Sequence, residues 1–353
     1  MFRRIDHATA CVLTLMLALA VALPANAKKR KEVPKPVRIV FPPPPATPVI
    51  EYLGEIRRAT DVTGKKKSFL KFLVGEEERE PQLIAPTAVA IGPRDVMYVI
   101  DQRLNGIVII DREKKTFQLF TGTGSGILQE PVGVAVGPDG TFFVSDAKAR
   151  AVYVYDADGS FRTAWGGKKV FVRPTALAVT AKGDRLAVCD TRDHKVVVVD
   201  TSSGEVLYIL NEQPKDDPER AFNLPYTVAF DEEGYLYVSD YLNFRIQVFD
   251  PDGAFEMAFG QAGDLPGSLN RPRGLAAVAA EEVIFEVDGA FQLIQMFNMD
   301  GELLMWFGSP GEGPAQFSLP SGLALRNDLL VVADTMNGRV QMFRFLGAPV
   351  SAE

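Results

Sequence analysis

The chain has 353 residues, of which 47% are apolar and 24% are charged, and its formal net charge is −7. This profile is typical of a soluble globular protein with ample length for a large core. The excess of acidic residues lies within 49–353, and an acidic body argues against a general nucleic-acid-binding protein.

The first 27 residues have the features of a secretory signal peptide. Two arginines precede an apolar run from Val12 to Leu23, and Ala25, Asn26 and Ala27 match a cleavage site. An uncleaved anchor is the alternative, but this run is shorter than the ~20 residues that span a bilayer. We therefore expect a periplasmic or secreted protein with no membrane span after cleavage. Cys189 would then be its single cysteine, which excludes an intramolecular disulfide.

Residues 28–48 form a basic, proline-rich segment in which Pro42 to Pro45 are four successive prolines. Such a run favours an extended polyproline II spacer. We predict a linker here, either holding the following domain away from another surface or lying disordered. Recognition of the prolines by a partner is the alternative.

Six repeats follow, each opened by a proline, with neighbouring prolines 43 to 51 residues apart. An alanine stands four residues after each proline, and an aspartate stands 14 to 16 residues after the same proline. The prolines are Pro86, Pro131, Pro174, Pro225, Pro272 and Pro320; the aspartates are Asp101, Asp146, Asp190, Asp240, Asp288 and Asp334. Each repeat has four strand-like runs separated by turn signals. Markers in register across six units predict an all-β, six-bladed β-propeller of four-stranded antiparallel blades over residues 49–345, with a short tail at 346–353.

The markers have physical explanations. The first strand of each blade is expected beside the central axis, where small side chains such as the alanines fit. Each aspartate ends the second strand, where a short carboxylate accepts hydrogen bonds from turn amides. A structural turn role therefore accounts for the aspartates without any catalytic function.

Two repeats resemble the NHL repeat, whose hallmark is an aspartate, then an asparagine, then an arginine before an apolar strand. The matching residues are Asp240, Asn243 and Arg245 in one repeat and Asp334, Asn337 and Arg339 in another. The resemblance covers residues 86–345 and implies a six-bladed propeller. The other four repeats depart from the hallmark, with Gly106, Ala151, Lys195 and Leu293 at the arginine position.

The sixth repeat ends at Phe345 after only three strands, so a fourth strand must come from elsewhere, or the ring keeps an open edge. We predict that an N-terminal strand within residues 49–75 closes the ring. Residues 50–58 and 68–75 are both suitable, and the sequence does not separate them.

Related propellers include enzymes, and their metal sites need residues that this chain can be compared with. Resemblance to the peptide-amidating lyase would imply a metal held by several histidines, but His194 is the only histidine after residue 27. Resemblance to lactonase-like propellers would imply calcium held near the axis by carboxylates and asparagines, but the inner strands offer no carboxylate. We therefore expect no metal and no cofactor.

Glu286 breaks its repeat, because valine occupies the same place in five other repeats. A half-buried carboxylate there needs a partner or a raised pKa. Glu286 is therefore a candidate ligand contact; the alternative is a degenerate blade in which it meets a cation or reaches solvent.

The residues just after the repeat prolines should ring one mouth of the channel. They are Thr87, Val132, Thr175, Tyr226, Arg273 and Ser321. Loops after the aspartates should add Arg103, Lys148, Arg192 and Tyr241 nearby. Positive residues on one face of an acidic domain favour an anionic partner, whereas scattered solvated charge is the alternative. The long loop at 211–224 is either a second contact or only a variable loop.

We therefore predict an exported, noncatalytic binding or scaffolding propeller, monomeric, that engages a protein or an anionic envelope ligand and no nucleic acid. The candidate contacts are Arg103, Lys148, Arg192, Tyr226, Tyr241, Arg273 and Glu286. One alternative is a propeller enzyme of lyase or lactonase type with a metal in the channel. Another is a purely structural member of an envelope assembly.

Overall fold

The computed structural model describes residues 38–64, 80–167, 169–210 and 220–348. The expected signal peptide, the rival closing segment 68–75, and residues 211–219 of the long loop lie outside these ranges.

The described residues form the predicted six-bladed β-propeller. Strands β1 (Val40–Phe41) and β2 (Ile50–Ile56) and a short helix α1 (Ala59–Thr63) come first. Blade 1 contains β3 (Pro86–Ile91), β4 (Met97–Asp101), β5 (Gly106–Asp111) and β6 (Thr116–Phe120). Blade 2 contains β7 (Pro131–Val136), β8 (Phe142–Asp146), β9 (Ala151–Tyr155) and β10 (Phe161–Gly166). Blade 3 contains β11 (Pro174–Val179), β12 (Arg185–Asp190), β13 (Lys195–Asp200) and β14 (Val206–Leu210).

Blade 4 contains β15 (Pro225–Phe230), β16 (Leu236–Asp240), β17 (Arg245–Phe249) and β18 (Phe255–Phe259). Blade 5 contains β19 (Pro272–Val278), β20 (Val283–Asp288), β21 (Leu293–Asn298) and β22 (Leu303–Phe307). A small parallel pair, β23 (Ser309–Pro310) and β24 (Gln316–Phe317), follows. Blade 6 contains β25 (Pro320–Arg326), β26 (Leu329–Asp334) and β27 (Arg339–Phe345), joined by β2 and β1.

The position of each strand in its blade explains its side chains. Strand β8 is buried at every residue, because its two faces pack against the neighbouring blades. Strand β10, the outer strand of the same blade, alternates between half-buried and exposed residues, because only one of its faces is covered.

The innermost strands touch in cyclic order, β3, β7, β11, β15, β19 and β25, and so surround the axis. In three blades a glycine stands two residues after the proline, and there the neighbouring inner strands lie too close together for a side chain. A Cβ on Gly133 would lie 2.3 Å from the carbonyl oxygen of Thr175 in the next blade, and one on Gly322 would lie 2.6 Å from the Cα of Ala88. The repeated alanines, expected beside the axis, pack between blades instead, as Ala135 does with residues of blade 3.

Strand β2 closes the ring, so the segment within 50–58 is the one that supplies the missing strand. Its Ile50 pairs with Phe345 and its Ile56 with Val340 on β27. Strand β1 adds a fifth strand, and the Phe41 ring lies 5.6 Å from that of Phe307. Part of the predicted linker therefore belongs to the propeller.

Candidate functional site

The six repeated aspartates are fully buried and serve as turn acceptors, as predicted. The Asp101 carboxylate accepts hydrogen bonds from the amides of Ile84 and Ala85 before the repeat proline and of Arg103 and Leu104 after the strand. Asp288 does the same with four amides of blade 5. These bonds fix the loops at one end of the ring. We call this end, where the inner strands begin, the proline face, and the opposite end the turn face.

A cavity of about 260 Å³ opens on the axis at the proline face. Its lining includes Thr87, Val132, Thr175, Tyr226 and Arg273, which are five of the six predicted mouth residues. An aliphatic ring also lines the cavity, formed by the residues three positions after each proline: Val89, Val134, Leu177, Val228, Leu275 and Leu323. The cavity therefore has a polar mouth and an apolar wall.

The charge of this cavity is positive. Among the described residues, its lining contains Arg173 and Arg273 and no carboxylate. Arg173 forms an ion pair with Glu130 at 2.8 Å. Among the ion pairs of the described residues, none includes Arg273. Within the described part of this acidic protein, one half-buried guanidinium is thus left without a counterion.

The Arg273 side chain is held between three blades. Its guanidinium carbon lies 5.6 Å from the centre of the Tyr226 ring, a cation–π distance, and Tyr226 stacks on Tyr241 at 5.3 Å. Its Nη1 lies 3.4 Å from Oγ of Ser321 in the next blade. Its buried Nε has no hydrogen-bond partner among the described residues. The buried Thr87 hydroxyl, which lines the same cavity, also has no such partner within the described part of the chain.

Hydroxyl groups beside the repeat aspartates join neighbouring blades, a role that was not predicted from the sequence. Thr191 donates to the carbonyl of Pro225, Ser239 to that of Pro272, and Thr335 to that of Pro86, at 2.7 to 2.8 Å. A serine or threonine adjacent to the repeat aspartate was the available signal.

The other predicted cations lie outside the cavity. Arg103, Lys148 and Arg192 are exposed in the loops after the aspartates, so they belong to the rim of the proline face. Of the predicted contacts, the structure brings together Tyr226, Tyr241 and Arg273, and it leaves these three cations apart from them.

Glu286 is fully buried and lines neither of the axial cavities. Its Oε2 accepts a hydrogen bond from Gln295 at 3.1 Å, and its Oε1 has no partner among the described residues. Burial and the Asp288 carboxylate raise the pKa of Glu286 well above its usual range, against the opposing effect of the Gln295 hydrogen bond. Glu286 therefore meets an amide rather than the cation or the solvent considered from the sequence.

A second cavity, of about 430 Å³, opens at the turn face and shares no lining residue with the first. Its lining includes Asp231, Glu232 and Arg326. The Asp231 carboxylate accepts hydrogen bonds from three turn amides and from the Tyr237 hydroxyl, which assigns it a structural role.

Other reactive residue types have structural surroundings. His194 Nδ1 accepts a hydrogen bond from the Leu224 amide at 3.1 Å, and burial raises the pKa of the Cys189 thiol. The described residues contain no group of three or more His, Cys, Asp and Glu side chains arranged to hold a metal ion. None of their helices has the length and apolar character needed to cross a membrane.

No protein-family model and no curated protein matches the chain by sequence. A structural genomics protein of unknown function from Bacteroides thetaiotaomicron is 15% identical, with a TM-score of 0.58 over 75% of this chain and 70% of that one. A catalytically inactive virginiamycin B lyase from Staphylococcus aureus, solved with quinupristin, is 14% identical, with a TM-score of 0.54 over 76% of this chain and 84% of that one. Hydrazine synthase of Kuenenia stuttgartiensis is 13% identical, with a TM-score of 0.52 over 75% and 97%. At such identities these similarities show the propeller fold alone.

Proposed function

We propose that this chain is an exported, noncatalytic binding module, an NHL-type propeller that engages an anionic ligand through its proline face. The observation that carries the proposal is Arg273, a half-buried guanidinium in the axial cavity. The residues that the structure describes provide it with no counterion and contribute no carboxylate to the lining. A partly desolvated cation is stabilised when an anion supplies the missing charge.

The rim supports the same ligand charge. Arg103, Lys148 and Arg192 are exposed around the cavity that contains Arg273. Cations on the approach to a binding site attract an anionic partner and accelerate its association. The proline face thus combines long-range attraction at its rim with a specific contact at its centre.

The NHL assignment is supported by the role of its hallmark residues in blade 4. Asn243 and Arg245 both donate to Oδ2 of Asp240, at 2.8 and 2.9 Å. The hallmark is therefore a buried carboxylate shared by an amide and a guanidinium, and blade 6 repeats it with Asp334. Export is supported by the signal-like residues 1–27.

Crosslinking in intact cells, followed by mass spectrometry of the captured species, tests the proposal. In one variant, Arg103, Lys148, Arg192 and Arg273 are changed to glutamate. The matched control changes four exposed cations of the turn face, Arg94, Arg112, Lys115 and Lys182, so that both variants gain the same negative charge. We expect the partner to be lost in the first variant and retained in the control.

Retention of the partner in the first variant would overturn the assignment of this face. An intact mass that starts at Lys28, from protein in the periplasm or medium, checks the export part of the proposal. Metal analysis of the purified protein checks the noncatalytic part, because a stoichiometric ion in the channel would instead support a propeller enzyme.

A further inference from the structure

This inference rests on the proposed function and specifies its ligand. We propose that the axial cavity binds a carboxylate on a small apolar body, with the carboxylate held by Arg273 at the mouth and the body against the aliphatic ring.

Blade 5 is adapted to seat Arg273. The residue after the repeat aspartate is Gln102, Ala147, Thr191, Tyr241 and Thr335 in the other five blades, but it is Gly289 in blade 5. A Cβ at Gly289 would lie 2.8 Å from Cδ and 3.1 Å from Nε of Arg273. Blade 5 therefore differs from the other blades at two positions that complement each other. Because Gly289 has no side chain, it leaves the space that the Arg273 side chain occupies.

The charge of the cavity matches one negative charge. Arg173 is already paired with Glu130, so Arg273 is the cation left to neutralise a ligand. A guanidinium presents two parallel N–H donors that match the two oxygens of a carboxylate. A phosphate dianion would keep an uncompensated charge in this cavity, so a carboxylate fits better.

The walls select the rest of the ligand. The six aliphatic residues of the ring line the cavity below its polar mouth, and they favour an apolar body. The buried Thr87 hydroxyl, which has no partner among the described residues, supplies a further donor at the mouth. A volume of about 260 Å³ suits a small ligand, since pockets for drug-sized molecules start at roughly 300 Å³.

The carboxylate has two possible sources, a free organic acid and the C-terminal carboxylate of a protein inserted into the mouth. Isothermal titration calorimetry with hexanoate tests the free acid, with hexanamide and hexyl phosphate as the neutral and phosphate counterparts. An apolar hexapeptide with a free C-terminus, compared with its amidated form, tests the second source.

We expect binding of hexanoate, of the free-acid peptide, or of both, and weaker binding of their counterparts. Arg273→Gln should weaken that binding at least roughly tenfold, because a hydrogen-bonded charge is removed. Arg273→Lys should restore part of it, since the charge returns without the two parallel donors. Gly289→Ala should weaken it while keeping the arginine, because the added Cβ displaces the side chain. Arg112→Gln, which removes an exposed cation from the opposite, turn face, is the matched control and should leave the binding within about twofold.

Equal binding by the acids and the amides, or full binding by Arg273→Gln that folds normally, would overturn the inference. Tighter binding of hexyl phosphate than of hexanoate would also overturn it, in favour of a phosphate ligand. If the four-glutamate variant loses its partner in cells and no carboxylate binds, the proposed function stands and this ligand assignment fails. If a carboxylate binds and the four-glutamate variant keeps its partner in cells, the ligand assignment stands and the proposed function fails.

Discussion

At the scale of single residues, Glu286 is the most unusual side chain of the propeller core. In blade 4 the same position is Val238, and the repeat aspartate of that blade, Asp240, is paired with Arg245. In blade 5 the arginine position is Leu293, and Gln295 donates to Glu286 instead. Blade 5 thus lacks the guanidinium and has a buried acid in its core. The raised pKa keeps Glu286 protonated at pH values where an ordinary glutamate is ionised.

The raised pKa predicts how stability depends on pH. The folded state holds the Glu286 proton more tightly than the unfolded chain, so its contribution is complete below the ordinary pKa of 4.5 and is lost as the pH rises through the folded-state pKa. Relative to Glu286→Gln, the wild type should lose up to about 1.4 kcal/mol of unfolding free energy per pH unit across that interval. Urea unfolding at a series of pH values measures this difference.

Glu256 is exposed, so Glu256→Gln provides the control for the pH series. Its unfolding free energy should parallel that of the wild type at every pH. A constant difference between Glu286→Gln and the wild type above pH 4.5 would show that Glu286 ionises normally in the folded protein.

At the scale of elements, the closing blade is held by one buried guanidinium. Arg339 on β27 donates to Asp334 on β26, to Glu55 on the N-terminal strand β2, and to the carbonyls of Glu312, Gly313 and Gln316. Its side chain is 1% exposed, whereas Arg245 at the same place in blade 4 is 21% exposed and bonds to one carboxylate and one carbonyl. The same hallmark arginine therefore has a larger role where the two ends of the chain meet.

Arg339→Met should destabilise the propeller by about 3–5 kcal/mol, because it leaves the buried Asp334 carboxylate without its cation and removes the ion pair that ties Glu55 of β2 to β27. Arg245→Met should cost about 1–3 kcal/mol, because fewer bonds to a less buried group are lost. Denaturant unfolding compares the two variants. Equal losses would show that ring closure does not depend on Arg339, and recovery in Asp334→Asn/Arg339→Met would confirm the uncompensated charge as the cause.

The sequence predicts what repeats and misses what is unique. Pro225, Ala229 and Asp240 recur in register, so the blades and the mouth position of Arg273 follow from counting. Strand β1 has two residues followed by prolines, and such a strand has no sequence period to detect. Arg273 lies at the start of one strand, and Gly289 follows the end of the next. The two residues meet only because the arginine side chain is long enough to reach Gly289, and the repeat pattern does not show this. Glu286 stood out as a break in the pattern, but its Gln295 partner depends on strand register.

At the scale of the whole molecule, the two ends of the propeller differ in charge. Acidic side chains predominate in the turns of the turn face: Asp139, Asp156, Asp158, Asp184, Asp200, Glu232, Glu233, Asp250, Asp252, Glu281 and Asp300. Basic side chains lie in the loops of the proline face: Arg103, Lys148, Arg150, Arg173, Arg192, Arg271 and Arg273. The charges of the propeller are therefore distributed unequally between its two ends, and an approaching anion is attracted more strongly to the proline face than to the turn face.

The difference in charge between the two faces predicts how variants bind to a sulfonate cation exchanger at pH 7. Removing three cations from the proline face should change binding more than removing three from the turn face. Arg103→Gln, Lys148→Gln and Arg192→Gln together should lower the salt concentration for elution, because they remove exposed cations from the basic end. Arg94→Gln, Arg112→Gln and Lys115→Gln remove the same charge from the turn face, where neighbouring carboxylates already repel the resin, so elution should change less. Because both triple variants have the same net charge, a difference between them reports where the charge lies. Equal shifts would mean that the basic loops do not act as one surface, and the rim attraction proposed for the proline face would then fail.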